Sequence, residues 1–459
     1  IRACGLAVVA GTAVGLGTAG AGATVLSWLA AVNGSAGDAA RWNPSQAPAA
    51  ADTLTFNVNG SYAVTFPASA ATTAGHTYKR GTVTVNVNTP HTATGGVRVG
   101  DVSGDAAAVV HTSGTLHAGS SLVVGNAAGS SGTLTVEDEG TLLTTSAAGS
   151  DMVIAQAGVG VLHVLDGALV QPADDCIIGA SAGSNGDANV TGTGGLPLPV
   201  PSSTLSLPNA GQDLIVGQSG TGRLDVSGGA MTACDELFVA LNPGSTGIVT
   251  VGGSGGVLNQ PARITVATQA HLGNNPSIGA TAGSATLTVN AGGEVNVTGT
   301  TRVGDPQGVG SGTLTVNTGG LFRTGALVAS DAGGFLNLLG GELHVVGGTL
   351  AVRNDVLVLG SSPAGSPVLT LDQGAACTLG ATAAPFETLT IGDSHAATVR
   401  VIGGSSLSAS AGEVVVGNTS GSQGTLAVIG ADSRLAVATS GTVVIGDAGQ
   451  GAEIGRVHV

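Results

Sequence analysis

The chain has 459 residues, 79 of them glycine, with 9% charged and 2% aromatic positions and a net charge of −15. A single lysine, Lys79, leaves no basic footprint for nucleic acid, the absence of a Gly-X-Y period excludes collagen, and four cysteines are too few for a disulfide scaffold. A hydrophobic fraction of 42% is too high for disorder, while six Phe, two Tyr and two Trp are too few for a thick globular core, so a thin core of Val, Leu, Ile and Ala is expected.

Residues 1–23 open with Arg2 before a weakly apolar Gly/Ala run that ends in Ala21-Gly22-Ala23. A small-x-small ending of this kind predicts a secretory signal peptide, and the run is too glycine-rich for a transmembrane helix. The chain starts without Met and stops in mid-pattern at GRVHV, so both ends are expected to be truncated. Residues 24–94 form an expected N-terminal module with Trp28 and Trp42, and residues 95–459 carry repeats.

The first repeated element is a short apolar anchor closed by Gly or Ala. Its copies include LVVG (122–125), MVIA (152–155), CIIG (176–179), LIVG (214–217), LFVA (237–240) and ITVA (264–267), then TRVG (301–304), LTIG (389–392), VVVG (414–417) and VVIG (443–446). Weaker copies end at Gly100, Ala329 and Gly360, giving a spacing of about 29 residues, the length of one supersecondary unit. Between anchors lies a second strand of form G/A-x-apolar-x-apolar, such as GTLTV (132–136) and GVLHV (160–164). Its fourth position is mostly polar: His117, Thr135, His163, Asn189, Asp225 and onward to His458. A third element often follows a Gly-Gly or Gly-Ala pair, as in GGEVNV and GGELHV. Alternation of this kind gives strands with one face in a core and the other in water.

Three short strands per repeat predict an all-β fold: a single-stranded right-handed parallel β-helix (β-solenoid) of roughly 13–15 coils, stacked about 4.8 Å apart. Glycine and Asp/Asn after each anchor suit its corners, since both tolerate positive φ.

Stretches such as LVVGNAAGSSGTLTVEDEGTLLTT and VVVGNTSGSQGTLAVIGADSRLAV resemble the repeat shared by autotransporter (type V secretion) passengers and PEP-CTERM surface proteins. The resemblance covers roughly residues 95–459, and the segment from Trp28 to Phe66 is similar to the N-terminal module of such proteins. It implies an exported, secreted or outer-membrane-associated surface protein of a Gram-negative-type bacterium. The partners it suggests are host or neighbouring-cell surface components, extracellular polysaccharide, or the chain itself. The resemblance also implies a C-terminal barrel or sorting helix, which is expected to lie beyond the truncated end.

A polysaccharide-active β-helix would need carboxylates on one face of adjacent coils. The candidates are Asp174-Asp175, Asp235-Glu236 and Glu137-Asp138-Glu139, which are expected to be solvated turn residues. No catalytic, cofactor or metal residue is assigned. His117, His163 and His458 are expected to be exposed polar positions, and GGSGG (252–256) a plain turn. Cys176 fills an apolar anchor slot, and pairing of Cys176 with Cys234 stays open, with Cys377 left over.

Two features remain. The proline-rich GGLPLPVPSSTLSLPN between Gly179 and Gly217 is expected to project as a semi-rigid loop. The anchor's middle residue is apolar in most coils, including Val123, Val153, Ile177, Ile215, Phe238, Leu327, Val358, Val415 and Val444. This outward stripe is either covered by the chain's own loops or an association face. The expected function is a non-catalytic structural or adhesive rod; the alternatives are a polysaccharide-active enzyme and a carbohydrate-binding module using Trp28 and Trp42.

Overall fold

The computed structural model describes residues 23–459 apart from 146–148, 193–201, 254–259, 275–282, 306–309, 330–332, 353–355, 364, 380–386, 447–449, 455–456 and 459. The expected signal peptide and GGSGG therefore lie wholly or largely outside the described residues. Among those residues no helix is long and apolar enough to cross a membrane.

The chain is a parallel β-solenoid. Anchor strands form its first face: Leu122–Val124 pairs in parallel with Val97–Val99 on one side and Met152–Ile154 on the other. G/A-x-apolar-x-apolar strands form the second face, where Ser131–Val136 lies between Ala106–Ser113 and Val159–Val164. The third face begins with His91–Ala93, Thr115–Ala118 and Leu142–Thr145. The first-face column runs through fourteen strands, from Val97–Val99 to Val457–His458. At about 4.8 Å per step this is a shaft of roughly 60 Å.

Parallel, in-register pairing places equivalent residues over one another. Leu134 and Val136 point inward with Leu162 and Val164, while Thr135 and His163 point outward and stay half-buried. The inward residues merge into one core from Leu26 to Leu435. Each fully buried Val or Leu contributes about 1.5–3 kcal/mol, so the shaft gains from many small burials. The large rings gather at the N-terminal end, where Trp28, Trp42, Phe56, Tyr62, Phe66 and Tyr78 are all buried. Trp28 meets Trp42 edge-on at 4.9 Å, and Phe56 stacks on Tyr78 at 4.6 Å. This plug is not a separate block: Gly75–Val87 pairs with Val97–Val99 and Ala106–Ser113, across residue 94.

The Gly/Ala signature has two causes. The residue closing most anchors turns into the left-handed region, with φ of 76° at Gly179 and 64° at Ala155. The glycine opening each second strand is instead forced by close approach: a Cβ on Gly222 would sit 2.2 Å from Gly217 N and 2.4 Å from Ile178 O.

Several assignments from the sequence move. Thr115–Ala118 belongs to the third face, so His117 lies there and not on the second. Val457–His458 likewise pairs with Arg434–Val437 in the first-face column, which removes His458 from the second-strand series. ITVA is not an anchor: Ala262–Val266 stacks on Met231–Cys234, and the first-face strand of that coil is Ala270–Leu272. Leu327 points inward and is fully buried, because it pairs with Thr301, and Val328 takes the outward position beside Arg302. Of the expected proline-rich loop, residues 194–201 lie outside the described residues; in its remainder Thr204–Ser206 pairs with the third-face strands Leu169–Gln171 and Met231–Cys234, and Leu205 and Leu207 are buried.

The repeat also slips by one face. Between Ala329 and Gly360 the chain makes Gly334–Leu339 on the second face, Glu342–Val346 on the third and an extra strand, Thr349–Val352, on the first. From there VLTLD (368–372) stacks on the third-face column and ACTL (376–379) on the first. The later anchors form a separate four-stranded sheet of Val356–Leu359, Thr388–Ile391, Glu413–Val416 and Thr442–Ile445. The cause is legible in GGELHVVGGTLAV, which has two Gly-Gly openings where other repeats have one.

Gly222→Val is expected to cost about 1–3 kcal/mol by overpacking against Gly217 and Ile178, read as a lower urea midpoint. Ala155→Gly, which relieves a positive φ on a residue with a Cβ, is expected to raise that midpoint.

Candidate functional site

The residue before each first-face strand is acidic in four successive coils: Asp151, Asp175, Asp213 and Glu236. The strands that follow them are in register, Met152 with Cys176, Leu214 and Leu237, so the four acids stack at one corner. Main-chain bonds hold the stack: Met152 N–H donates to Asp175 O and Cys176 N–H to Asp213 O, both at 2.9 Å, and Leu214 N–H to Glu236 O at 3.0 Å. Side chains continue it. Asp175 Oδ1 accepts from Asp213 N–H at 2.8 Å, and Asp213 Oδ1 from Glu236 N–H at 3.2 Å. Asp174 and Asp235 add two further carboxylates, and Asp235 Oδ2 accepts from Gly211 N–H.

Burial of the corner, and then the stacking of acid on acid, raises the affinity of these groups for protons. Burial pushes Asp151 up to about 6, with the Asp174 charge adding to it. Burial likewise pushes Asp175 up to about 7, with a main-chain hydrogen bond from Asp213 working against it and neighbouring acids adding to it. Asp213 is pushed up to about 7 by burial and the Glu236 charge. The base beside the ladder is His271, whose Nε2 lies 4.0 Å from Glu236 Oε2. Burial and the Arg302 charge lower His271 to about 4, so it is neutral at pH 7 and does not compensate the acids. His271 stacks on Phe238 at 4.9 Å with an interplanar angle of 7°.

The chemistry open to this corner follows from its donors. Carboxylate oxygens of Asp151, Asp174 and Asp175 lie within 4.8 Å of one another, a set suited to a hard divalent cation. Groups that hold protons near neutral pH can also act as general acids.

Asp174-Asp175 and Asp235-Glu236 are thus not scattered solvated turn residues; register brings both pairs to one half-buried corner. Asp151 and Asp213 were missed, although DMVIA, DCIIG, DLIVG and ELFVA carry the acid in the same place. Glu137-Asp138-Glu139 does lie at a turn, with Asp138 and Glu139 exposed. Cys176, Cys234 and Cys377 are free and buried, which excludes the Cys176–Cys234 pair and fits Cys176 as an apolar filler. His117 and His163 are half-buried and outward, but His76, His91, His111 and His271 are buried. Trp28 and Trp42 are 3% and 0% exposed, which removes the carbohydrate platform.

The apolar stripe is covered from Val123 to Phe238. Val123, Val153, Ile177, Ile215 and Phe238 form a second buried cluster with Ala180, and Leu241 packs against it. Ala180 and Leu241 belong to the turns that follow their anchors, so the chain's own turns enclose these side chains and the association face fails there. Val415 is 8% exposed, Val358 is exposed and Val444 half-buried.

No protein-family model matches the chain, and no curated protein matches it. Among solved structures it is similar to the "TibC-catalyzed hyper-glycosylated TibA55-350 fragment", at 14% identity and a TM-score of 0.24, covering 94% of this chain and 100% of that one. That likeness is too slight to carry fold or function.

The ladder sets a pH dependence. Acids whose affinity for protons is higher folded than unfolded contribute stability that is fully present below the unfolded value near 3.8 and is lost as pH rises through about 7. The melting temperature is therefore expected to fall between about pH 4 and pH 8, and Asp175→Asn with Asp213→Asn to flatten that slope.

Proposed function

We propose that this chain is a non-catalytic, exported surface rod that holds its turns away from the cell in a structural or adhesive role. The unbroken first-face column from Val97 to His458 carries this reading, because its regular stacking makes a stiff spacer of roughly 60 Å. The resemblance of its repeats to autotransporter passengers and PEP-CTERM surface proteins supports export. Its partners are surface components, extracellular polysaccharide or other copies of the chain. The test is an epitope placed in the exposed turn at Glu139–Gly140 of the full gene product, expressed in the source bacterium. Antibody labelling of intact cells is expected, and labelling only after lysis overturns the reading.

A second reading, polysaccharide-active enzyme, is favoured by one observation: the stacking of acids along one corner, where Asp151, Asp174 and Asp175 lie within 4.8 Å of one another and Glu236 lies 4.0 Å from His271. Release of reducing ends or unsaturated sugars from a panel of neutral and uronate polysaccharides, abolished by Asp175→Asn, would replace the rod with the enzyme.

A further inference from the structure

The N-terminal plug holds an arrangement that a purely apolar stopper does not need. His76 is 1% exposed and His91 0%, and their Nε2 atoms lie 3.0 Å apart. Thr73 Oγ1 lies 3.0 Å from His76 Nε2 and 3.3 Å from His91 Nε2, while His76 Nδ1 meets Tyr78 OH at 3.2 Å. Phe66 stacks on His76 at 5.1 Å and packs on His91 at 4.4 Å.

The contacts are satisfied with both imidazoles neutral: Tyr78 O–H donates to His76 Nδ1, His76 Nε2–H donates to His91 Nε2 and Thr73 O–H also donates to His91 Nε2, or the His76–His91 and Tyr78 bonds run the other way. In the first arrangement, an added proton on His91 Nε2 sets two N–H groups against each other. An added proton on His76 Nδ1 reverses the Tyr78 bond and leaves a cation among Phe56, Phe66 and Tyr78.

The surrounding charges offer little relief. The buried Asp52 spends its carboxylate on Thr24 N–H, Ala49 N–H and Gln46 Nε2. Lys79 and Arg80 follow Tyr78 on the same strand, half-buried and exposed, and Arg98 on the paired strand reaches Asp101 at 3.7 Å. Tyr62, in the preceding coil, is buried and stacks on Trp28 at 6.2 Å. His111, in a following coil, bonds the carbonyls of Val85 and Leu142.

We propose that the N-terminal plug is an acid-labile closure, in which protonation of the His76–His91 pair opens the first coils while the later shaft stays stacked. Burial and the neighbouring His91 hold His76 well below the ordinary histidine value near 6.5. A cationic group depressed in this way contributes stability that is present above about 6.5 and lost as pH falls below it. The carboxylate ladder has the opposite sign and is most stable in acid, so the two ends of the pH response sit in different coils. Opening the plug bares a strand edge, the kind of surface on which another chain can add a strand.

The sequence supplies its own reporter, because its only two tryptophans, Trp28 and Trp42, both lie in the plug. The whole chain is titrated from about pH 7.5 to about pH 4, following tryptophan emission and far-ultraviolet circular dichroism together. The expected result is a reversible red shift of emission below about pH 6.5 while most of the strand signal remains. His76→Phe is expected to lower the emission midpoint by about one pH unit. Unchanged emission down to pH 4, or emission and strand signal lost in a single step, overturns the proposal. If His76→Phe does not fold, hydrogen exchange of the unaltered chain decides. Faster exchange in residues 53–111 than in 284–316 at about pH 5, after correction for intrinsic rates, is expected, and equal exchange overturns it.

Discussion

Everything in this molecule depends on the hydrogen-bonded register between one coil and the next. Parallel strands about 4.8 Å apart place like positions over like, so a residue choice made in one coil is repeated along the rod. For the core this is favourable: Met152, Cys176, Leu214 and Leu237 stack as interchangeable apolar fillers. For charge it is unfavourable, because Asp151, Asp175, Asp213 and Glu236 are stacked by the same register. The rod accommodates them by lending main-chain N–H donors to Asp175 and Asp213 and by raising their affinity for protons.

The same constraint separates the molecule into a shaft and a stopper. A shaft coil encloses a column only a few side chains wide, which Val, Leu, Ile and Ala fill. At the N-terminal end both Trp, both Tyr and the first two Phe make a bulkier plug around the His76–His91 pair. Acid acts on the two parts with opposite sign, since a carboxylate loses charge on protonation and an imidazole gains it.

The slip at residues 329–360 shows how tolerant the architecture is. One added strand, Thr349–Val352, turns the repeat by a face without breaking the third-face or first-face columns. Only the second face is interrupted, and a separate sheet takes over the anchors. Inward positions need only an apolar residue of modest size, and all faces supply the same kind, so a motif can change columns at little cost.

The sequence by itself determined the strands, their alternation, the glycine corners, the thin core and the solenoid, because each follows from local periodicity and turn chemistry. It placed Cys176 in the core for the same reason. Only the tertiary structure decided which column each strand joins: His117 moved to the third face, AHL replaced ITVA as an anchor, and Leu327 turned inward. It also decided that two acidic pairs, read separately as turns, share one corner with Asp151 and Asp213, and that Ala180 and Leu241 help to cover the apolar stripe. The physical reason is that stacking joins residues 20 to 38 positions apart, and pairing partners at that distance are set by loop lengths and competing registers that no local pattern encodes.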